Sequence, residues 1–586
     1  MRKWLIFSIL IGLLAWIAYV AMSDYDHSNE IIYFNGDIIT MNDQMPSVEA
    51  ILVKNGKIIE VGKKANIFKF KTSKTQVIDL QGKTLMPGFF DAHGHFDIAT
   101  IFYGMVDISG FTHKKAATVW QAIAEAARKT PKGEWIFCKG FDPILTKDLE
   151  PPTVQKLDSL APHNPIILIS QTLHFYYANS RALAEVGINS KTPNPSKASY
   201  YERDKTGKLT GLVVEQAAFE PFRVKLSERV LKSFAQNTQN LMLDNAKNGI
   251  TSTVTMGLNI NRKNVLRLYE HLSGEKAQPF NNLLVWVGML PTRQPLLRHF
   301  IYLRHQDAKE LLPQQAENGD DFFKIMGIKL FYDGSPYIGS MYIRKPYIQS
   351  KLTKDGIHLS PNHRGEALLR PEEFKNLVEE YQSQGWRIAM HCQGDRAISE
   401  AMEVFEQINQ KTPLSAFRHR LEHCLMLPNE WIPAMKKMNI TPSFHINHIL
   451  YYGEALQLDL LGEARTQKIL PVNSVATQQI PFSLHGDQPM FEAKPLSLVS
   501  TALNRTSESG LLINEKESIA ILQALKSVTI DAAWQLHLEK KLGSIEKGKY
   551  ADLVILAQNP LKTNSQSIAK IEVLETIVAG NTVWPK

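Results

Sequence analysis

Between residues 87 and 95 the chain reads Pro87-Gly88-Phe89-Phe90-Asp91-Ala92-His93-Gly94-His95. An apolar run that follows Pro-Gly and ends in two histidines one residue apart predicts a buried strand with a ligand pair at its C-terminal end. Alternate side chains on a strand share a face, so His93 and His95 can turn toward one metal ion. With 18 histidines in the chain, a lone H-x-H recurs by chance. Its setting at a strand end carries the weight.

Outward from this strand, apolar runs alternate with amphipathic stretches, the pattern of βα units and a parallel sheet. Eight strands are predicted, near Thr84–Phe90, Thr251–Thr255, Leu283–Gly288, Lys324–Phe331, Arg387–Met390, Arg418–Glu422, Ile440–Phe444 and Pro481–Leu484. Eight such units close a (β/α)8 barrel, whose active site lies at the strand C-terminal ends. The predicted fold is therefore α/β, with the barrel over residues 85–540. The gap between the first two strands is too long for one βα unit, so residues 110–215 are read as an insertion that folds over the barrel mouth.

Both ends of the chain are β-rich. Ile31–Phe34 and Ile38–Met41 flank Asn35-Gly36-Asp37, and Ile51–Val53 and Ile58–Val61 flank the tight-turn pair Asn55-Gly56. Near the other end, Ala551–Leu556, Glu572–Val578 and Thr582–Trp584 are strand-like. Neither end has strands enough for a core of its own. One small β-sandwich built from residues 30–84 and 541–586 is expected.

Residues 1–23 stand apart. Arg2 and Lys3 precede an almost wholly apolar run from Trp4 to Met22, and Asp24 and Asp26 follow. Such a run is near the lower limit for a membrane span, and Ala21-Met22-Ser23 offers a small-residue cleavage pattern. A signal peptide or a membrane anchor is expected, with the remainder exported to the periplasm or another extracytoplasmic space. A formal charge of +8 over 586 residues, with Lys and Arg scattered, argues against nucleic acid as a partner. Three widely spaced cysteines, Cys138, Cys392 and Cys424, make no disulfide framework.

Further metal-capable residues fall at other predicted strand ends. Lys329 lies within Gly327-Ile328-Lys329-Leu330-Phe331-Tyr332-Asp333-Gly334, and an inward lysine on a buried strand is costly unless neutralised or paired. His391 ends Arg387-Ile388-Ala389-Met390-His391, and His423 ends Arg418-His419-Arg420-Leu421-Glu422-His423. One βα unit separates the two, which predicts neighbouring strands. Asp487 follows Phe482-Ser483-Leu484-His485-Gly486.

In this order the motifs PGFFDAHGHF, GIKLFYDGS, MHCQGDRA, RHRLEHC and HGDQP resemble the amidohydrolase superfamily, and more narrowly its family 3 branch with the N-substituted formamide deformylases. LGSIEKGKYADLVILAQNP is similar to the family's returning sandwich segment. The resemblance covers residues 30–586. It implies one or two divalent ions, zinc first among them, with His93, His95 and Asp487 at one and His391 and His423 at the other. Lys329 would bridge both as its N6-carboxylated form. Two such ions lower the pKa of a bridging water and polarise a carbonyl, and Asp487 would move the proton.

His174 and Asn179 match an insertion motif and are substrate candidates, as are Asp333, Arg420 and His448, which could instead support ligands. Relatives commonly carry Gln-Pro-x-His where this chain has His445-Ile446-Asn447-His448, and Gly-Ser-Asp where it has His485-Gly486-Asp487. Both departures reshape the pocket. The expected activity is hydrolysis of a C–N bond in a small molecule: an amide, formamide or carbamate. Ester or lactone hydrolysis uses the same ions and water, and the fold also carries noncatalytic binding proteins. The sequence is compatible with a monomer or a homo-oligomer.

Overall fold

The structure is a computed structural model that describes residues 12, 29–197, 199–231, 233–258, 262–275, 281, 284–285, 290–291, 295–312 and 319–585. Apart from Gly12, the N-terminal apolar segment lies outside them. No helix of the described residues is long and apolar enough to cross a membrane.

The fold is mixed α/β. Eight parallel strands, in chain order Phe89–Gly94, Ile250–Met256, Arg298–Arg304, Phe323–Phe331, Arg387–Cys392, Arg420–His423, Thr441–Phe444 and Ser483–Leu484, pair each with the next. A parallel bridge between Gly94 and Gln488 brings the ring nearly to closure. Strands covered on both faces read as continuous apolar or β-branched runs, and Ile250–Met256 is buried at every position. The helix Asp395–Asn409 between the fifth and sixth strands buries Ala397, Ile398, Ala401, Met402, Val404, Phe405 and Ile408, one stripe at helical spacing.

Two strand assignments are corrected. The third barrel strand is Arg298–Arg304, not Leu283–Gly288; of the latter, the described residues Leu284 and Val285 are helical. Arg298, His299 and Arg304 hide this strand from a search for apolar runs. The run Thr84–Phe90 divides at Gly88. Thr84–Pro87 joins the sheet of the chain ends, and the barrel strand begins at Phe89. Gly88 is required there, since a Cβ would lie 2.2 Å from the Thr251 side chain.

The chain ends share one eight-stranded sheet, in which Leu553–Leu556 pairs antiparallel with Thr84–Pro87. Asp552 fastens it to the barrel. Its carboxylate accepts from Arg298 Nε at 2.7 Å and Nη2 at 2.9 Å, and from the Ala579 amide at 2.9 Å. The Arg298 guanidinium stacks on Phe322 and Tyr550, with ring centroids 3.9 and 4.3 Å away. This is how a fully buried arginine becomes tolerable.

Residues Ala99–Asn237 form a compact unit, wider than the expected insertion. Its six-stranded sheet runs Tyr200–Arg203, Leu209–Val214, Phe175–Ala178, Ile166–Ser170, Ile136–Phe141, Val106–Asp107. Alternate residues feed opposite faces. Phe137, Ile167, Ile169 and Tyr176 pack with Phe219 and Phe222 of the helix Glu215–Leu231, while Ile136, Cys138, Ile166 and Leu168 pack with Val119 and Ile123 of the helix Ala116–Lys129.

Candidate metal centre

At the C-terminal ends of the barrel strands, His93 and His95 converge as their spacing predicts. His93 Nε2 and His95 Nε2 each lie 3.3 Å from one oxygen of Asp487, Oδ1, in the loop after the eighth strand. On its other side His93 Nδ1 lies 2.6 Å from Glu422 Oε2, with both side chains fully buried. A carboxylate can only accept, so Nδ1 carries the proton and Nε2 presents its lone pair toward Asp487. Burial alone would raise the Glu422 pKa, but Arg420, with Nε 2.7 Å from Oε1, and His93 hold it well below the usual carboxylate range. Asp487 is likewise held low against its burial, by His95 and His93.

His423 reaches the same place by a turn of the backbone. It and Cys424 have φ of +71° and +52°, and Asp487 has φ of +57°. Such left-handed conformations in non-glycine residues cost about 1 kcal/mol or more and cluster at functional sites. Both ring nitrogens of His423 are buried with no hydrogen-bond partner among the described residues, as is Lys329 Nζ. Burial lowers the Lys329 pKa to about 8, with Glu422 and Asp487 acting in the opposite direction. Burial also holds His423, His445 and His485 neutral, far below the usual imidazole range.

Three sets of side chains bring ligand atoms within 4.8 Å of one another: His93, His423 and Asp487; His93, Glu422 and His485; and His423, His445 and His485. Orphaned buried imidazole nitrogens beside a carboxylate fit a divalent cation. His391 lies on the strand next to His423, as expected, with ring centroids 4.3 Å apart. It enters none of the three sets among the described residues. Its Nε2 lies 3.5 Å from the Gly334 carbonyl and 3.8 Å from Asp333 Oδ1.

Among the substrate candidates, Asn179 is corrected. Fully buried in the Ala99–Asn237 unit, its carbonyl caps the helix Ser180–Glu185 through the Ala182 amide and accepts from the Ile166 amide. Its amide donates to the carbonyls of Ala161 and Asn164. Nothing remains to offer a ligand. Asp333 is a brace too. Its buried carboxylate accepts from the amides of Gln393, Gly394 and Tyr342 at 2.9, 2.8 and 3.1 Å, and burial raises its pKa to about 7 against those bonds. Gly394 permits that approach, since a Cβ there would meet the Tyr342 carbonyl at 1.9 Å.

Arg420 is fully buried and donates to the Ala92 carbonyl and to Glu422. It supports Glu422 from behind. His448 Nδ1 lies 2.5 Å from the Tyr337 hydroxyl, and its ring stands 3.9 Å from that of His445. His174, in the Ala99–Asn237 unit, is partly exposed and pairs with Glu215 at 2.9 Å. The residues that sequence reasoning missed are Glu422, His445 and His485. Each adjoins a predicted ligand or substrate candidate, or stands in its motif, but only the closure of the barrel shows that their side chains turn inward.

A model of the amidohydrolase family matches residues 76–584. Among curated relatives, an N-substituted formamide deformylase of Arthrobacter pascens is 25% identical, with 94% of this chain and 97% of the relative covered. The protein LONG AFTER FAR-RED 3 of Arabidopsis thaliana is 24% identical over 95% of this chain and 92% of its own. Among solved structures, a metal-dependent hydrolase of Pyrococcus horikoshii superimposes with a TM-score of 0.68 at 24% identity, covering 92% of this chain and 99% of its own. That likeness concerns the fold.

Proposed function

The chain belongs to the amidohydrolase family, and from that premise we propose that it hydrolyses a C–N bond in a small molecule, an amide, formamide or carbamate, at metal ions seated among His93, His95, Asp487 and His423. One observation carries the reading: two imidazole nitrogens, each 3.3 Å from the same carboxylate oxygen, beside a buried His423 whose ring nitrogens both lack hydrogen-bond partners among the described residues. That donor set suits zinc, one ion or two.

Bound there, the metal supplies Lewis acidity and a water acidic enough to attack near neutral pH. The rest falls to the chain. Glu422 fixes the His93 ring in the tautomer that leaves Nε2 free. Asp487, kept ionised, accepts the proton of the attacking water and returns it to the leaving nitrogen. The family resemblance offers His391 and a carboxylated Lys329 as further ligands. A lysine with its pKa lowered to about 8 has a ready neutral fraction. Its Nζ adds to carbon dioxide and releases one proton, which replaces a buried cation by anionic oxygens. Arg420 and His448 remain the barrel's candidates for substrate contact.

The formamide deformylase relative directs the first screen to N-substituted formamides, with amides, carbamates and esters beside them. Residues 1–23 are read as the export signal or anchor, which puts the catalytic portion outside the cytoplasm. The test is elemental analysis of the full chain purified in detergent, followed by that screen. One or two transition-metal ions per chain and hydrolysis lost on chelation are expected. A protein that retains no metal after zinc is supplied, and cleaves nothing, overturns the proposal.

A further inference from the structure

Lys and Arg are scattered over most of the chain, but six of its eight net positive charges fall in residues 54–74, where seven lysines stand against one acidic residue, Glu60. Glu60 is itself paired with Lys547, outside that stretch. Solvated surfaces interleave both signs, so a segment this unbalanced calls for an anionic partner.

The sheet of the chain ends holds the segment in place. In the strands Glu30–Ile39 and Ser47–Lys54, Ile31, Tyr33, Ile51 and Val53 feed one core, while Ile32, Ala50 and Leu52 turn to the opposite face. Ile67 of the short helix Lys64–Ile67 packs on that second face, with Phe34, Ile59 and Phe68 around it. Pinned there, the segment leaves Lys63, Lys69, Lys71 and Lys74 exposed, with the Phe70 ring 50% exposed among them. Lys54 pairs with Glu30, Lys57 lies over the Tyr550 ring and Lys64 over Phe34. Lys69 reaches the Asn66 side chain at 3.4 Å, and among the described residues Lys63, Lys69, Lys71 and Lys74 have no carboxylate within ion-pair distance.

The chain enters this sheet at the same place. Glu30 opens the first strand, and its carboxylate accepts from Lys54 Nζ at 2.8 Å, from Thr72 Oγ1 at 2.9 Å and from Thr75 Oγ1. Residues 23–29 join it to the apolar run that ends at Met22. Fully extended, that link spans at most about 25 Å. An anchored Met22 therefore keeps Thr72, between Lys71 and Lys74, close to the bilayer surface.

We propose that Lys63, Lys69, Phe70, Lys71 and Lys74 form a docking surface for the anionic phospholipid headgroups of the bilayer that holds residues 1–23. The inference rests on the reading of residues 1–23 as an anchor and is independent of the metal site. Unpaired ammonium groups are drawn to anionic headgroups, and the attraction fades within a Debye length, about 10 Å at 0.1 M salt. The Phe70 ring supplies the apolar contact of an interfacial segment.

The test is lysine acetylation of the full chain, read residue by residue by mass spectrometry, in nanodiscs of phosphatidylcholine alone and of phosphatidylcholine with phosphatidylglycerol. Rates are taken relative to Lys129, which is 74% exposed. Lys63, Lys69, Lys71 and Lys74 are expected to react about fivefold or more slowly in the anionic discs, and 1 M salt, with a Debye length of about 3 Å, should abolish the difference. In the Lys63→Gln/Lys69→Gln/Lys71→Gln variant, its fold verified by circular dichroism, Lys74 should lose most of that protection. Equal rates in the two discs overturn the docking surface and leave the anchor in place. A chain that enters neither disc overturns the anchor reading, and the same footprint on anionic and neutral vesicles then decides the surface by slower or equal acetylation.

Discussion

His93 Nδ1 and Glu422 Oε2 lie 2.6 Å apart across the barrel, joining the end of the first strand to the end of the sixth with both side chains sealed from solvent. The contact fixes which nitrogen of His93 carries its lone pair toward Asp487. Arg420 keeps the carboxylate charged from behind. Imidazole, orienting carboxylate and supporting guanidinium form a chain in which each member determines the state of the next.

Glu422→Gln should therefore weaken metal binding without removing a ligand. An amide can present its NH2 to Nδ1 and hold the opposite tautomer, turning a protonated Nε2 toward Asp487. Loss of an orienting partner typically costs 10- to 100-fold in metal affinity. Zinc competition against a chromophoric chelator measures it, and an affinity within twofold of wild type would remove Glu422 from this role.

Metal removal should also lower the thermal midpoint. The proposed site gathers buried nitrogens and carboxylates that an ion would compensate, so binding confined to the folded state would add about 4 kcal/mol at free metal 1,000-fold above Kd. Scanning calorimetry before and after chelation reads this, and restored zinc should return the midpoint. Identical midpoints with and without metal would contradict a buried seat.

Much of this cluster was legible in the sequence because strand ends and metal-capable side chains coincide: His93, His95, His423 and Asp487 lie together. The third strand was not, because Arg298 looks like surface until Asp552, 254 residues away, supplies its counter-ion. Asn179 misled for the opposite reason. A short polar side chain in a motif reads alike whether it meets a ligand or satisfies local amides, and only the hydrogen-bond inventory separates the cases. The inward turn of His423 depends on a left-handed φ that no residue type announces.

Asp552→Asn should destabilise the protein severely. The carboxylate is the partner that keeps Arg298 buried, and it also holds the Ala579 amide. Removing one member of a buried pair costs about 3–5 kcal/mol, since the other charge stays without compensation. Denaturant unfolding should show the barrel and the sheet of the chain ends losing stability together. A change under about 1 kcal/mol would mean that water reaches Arg298.

Asp531, in the first turn of the helix Ile530–Gln535, gives a stability signature in pH. Burial raises its pKa from 3.8 to about 7, opposed by Lys526 and by Gln523, whose amide donates to Oδ2 at 2.9 Å. Between those two values the unfolded chain has released the proton and the folded one still holds it. The folded state then binds more protons, so Asp531's contribution to stability declines as pH rises from about 4 to 7 and levels off above. Asp531→Asn carries no charge to bury, and it should match the wild type near pH 4 and exceed it at pH 8. Urea unfolding at the two pH values decides the matter. A variant that gains equally at both, or loses at pH 8, would show that Asp531 is ionised in the folded protein and that Lys526 outweighs its burial.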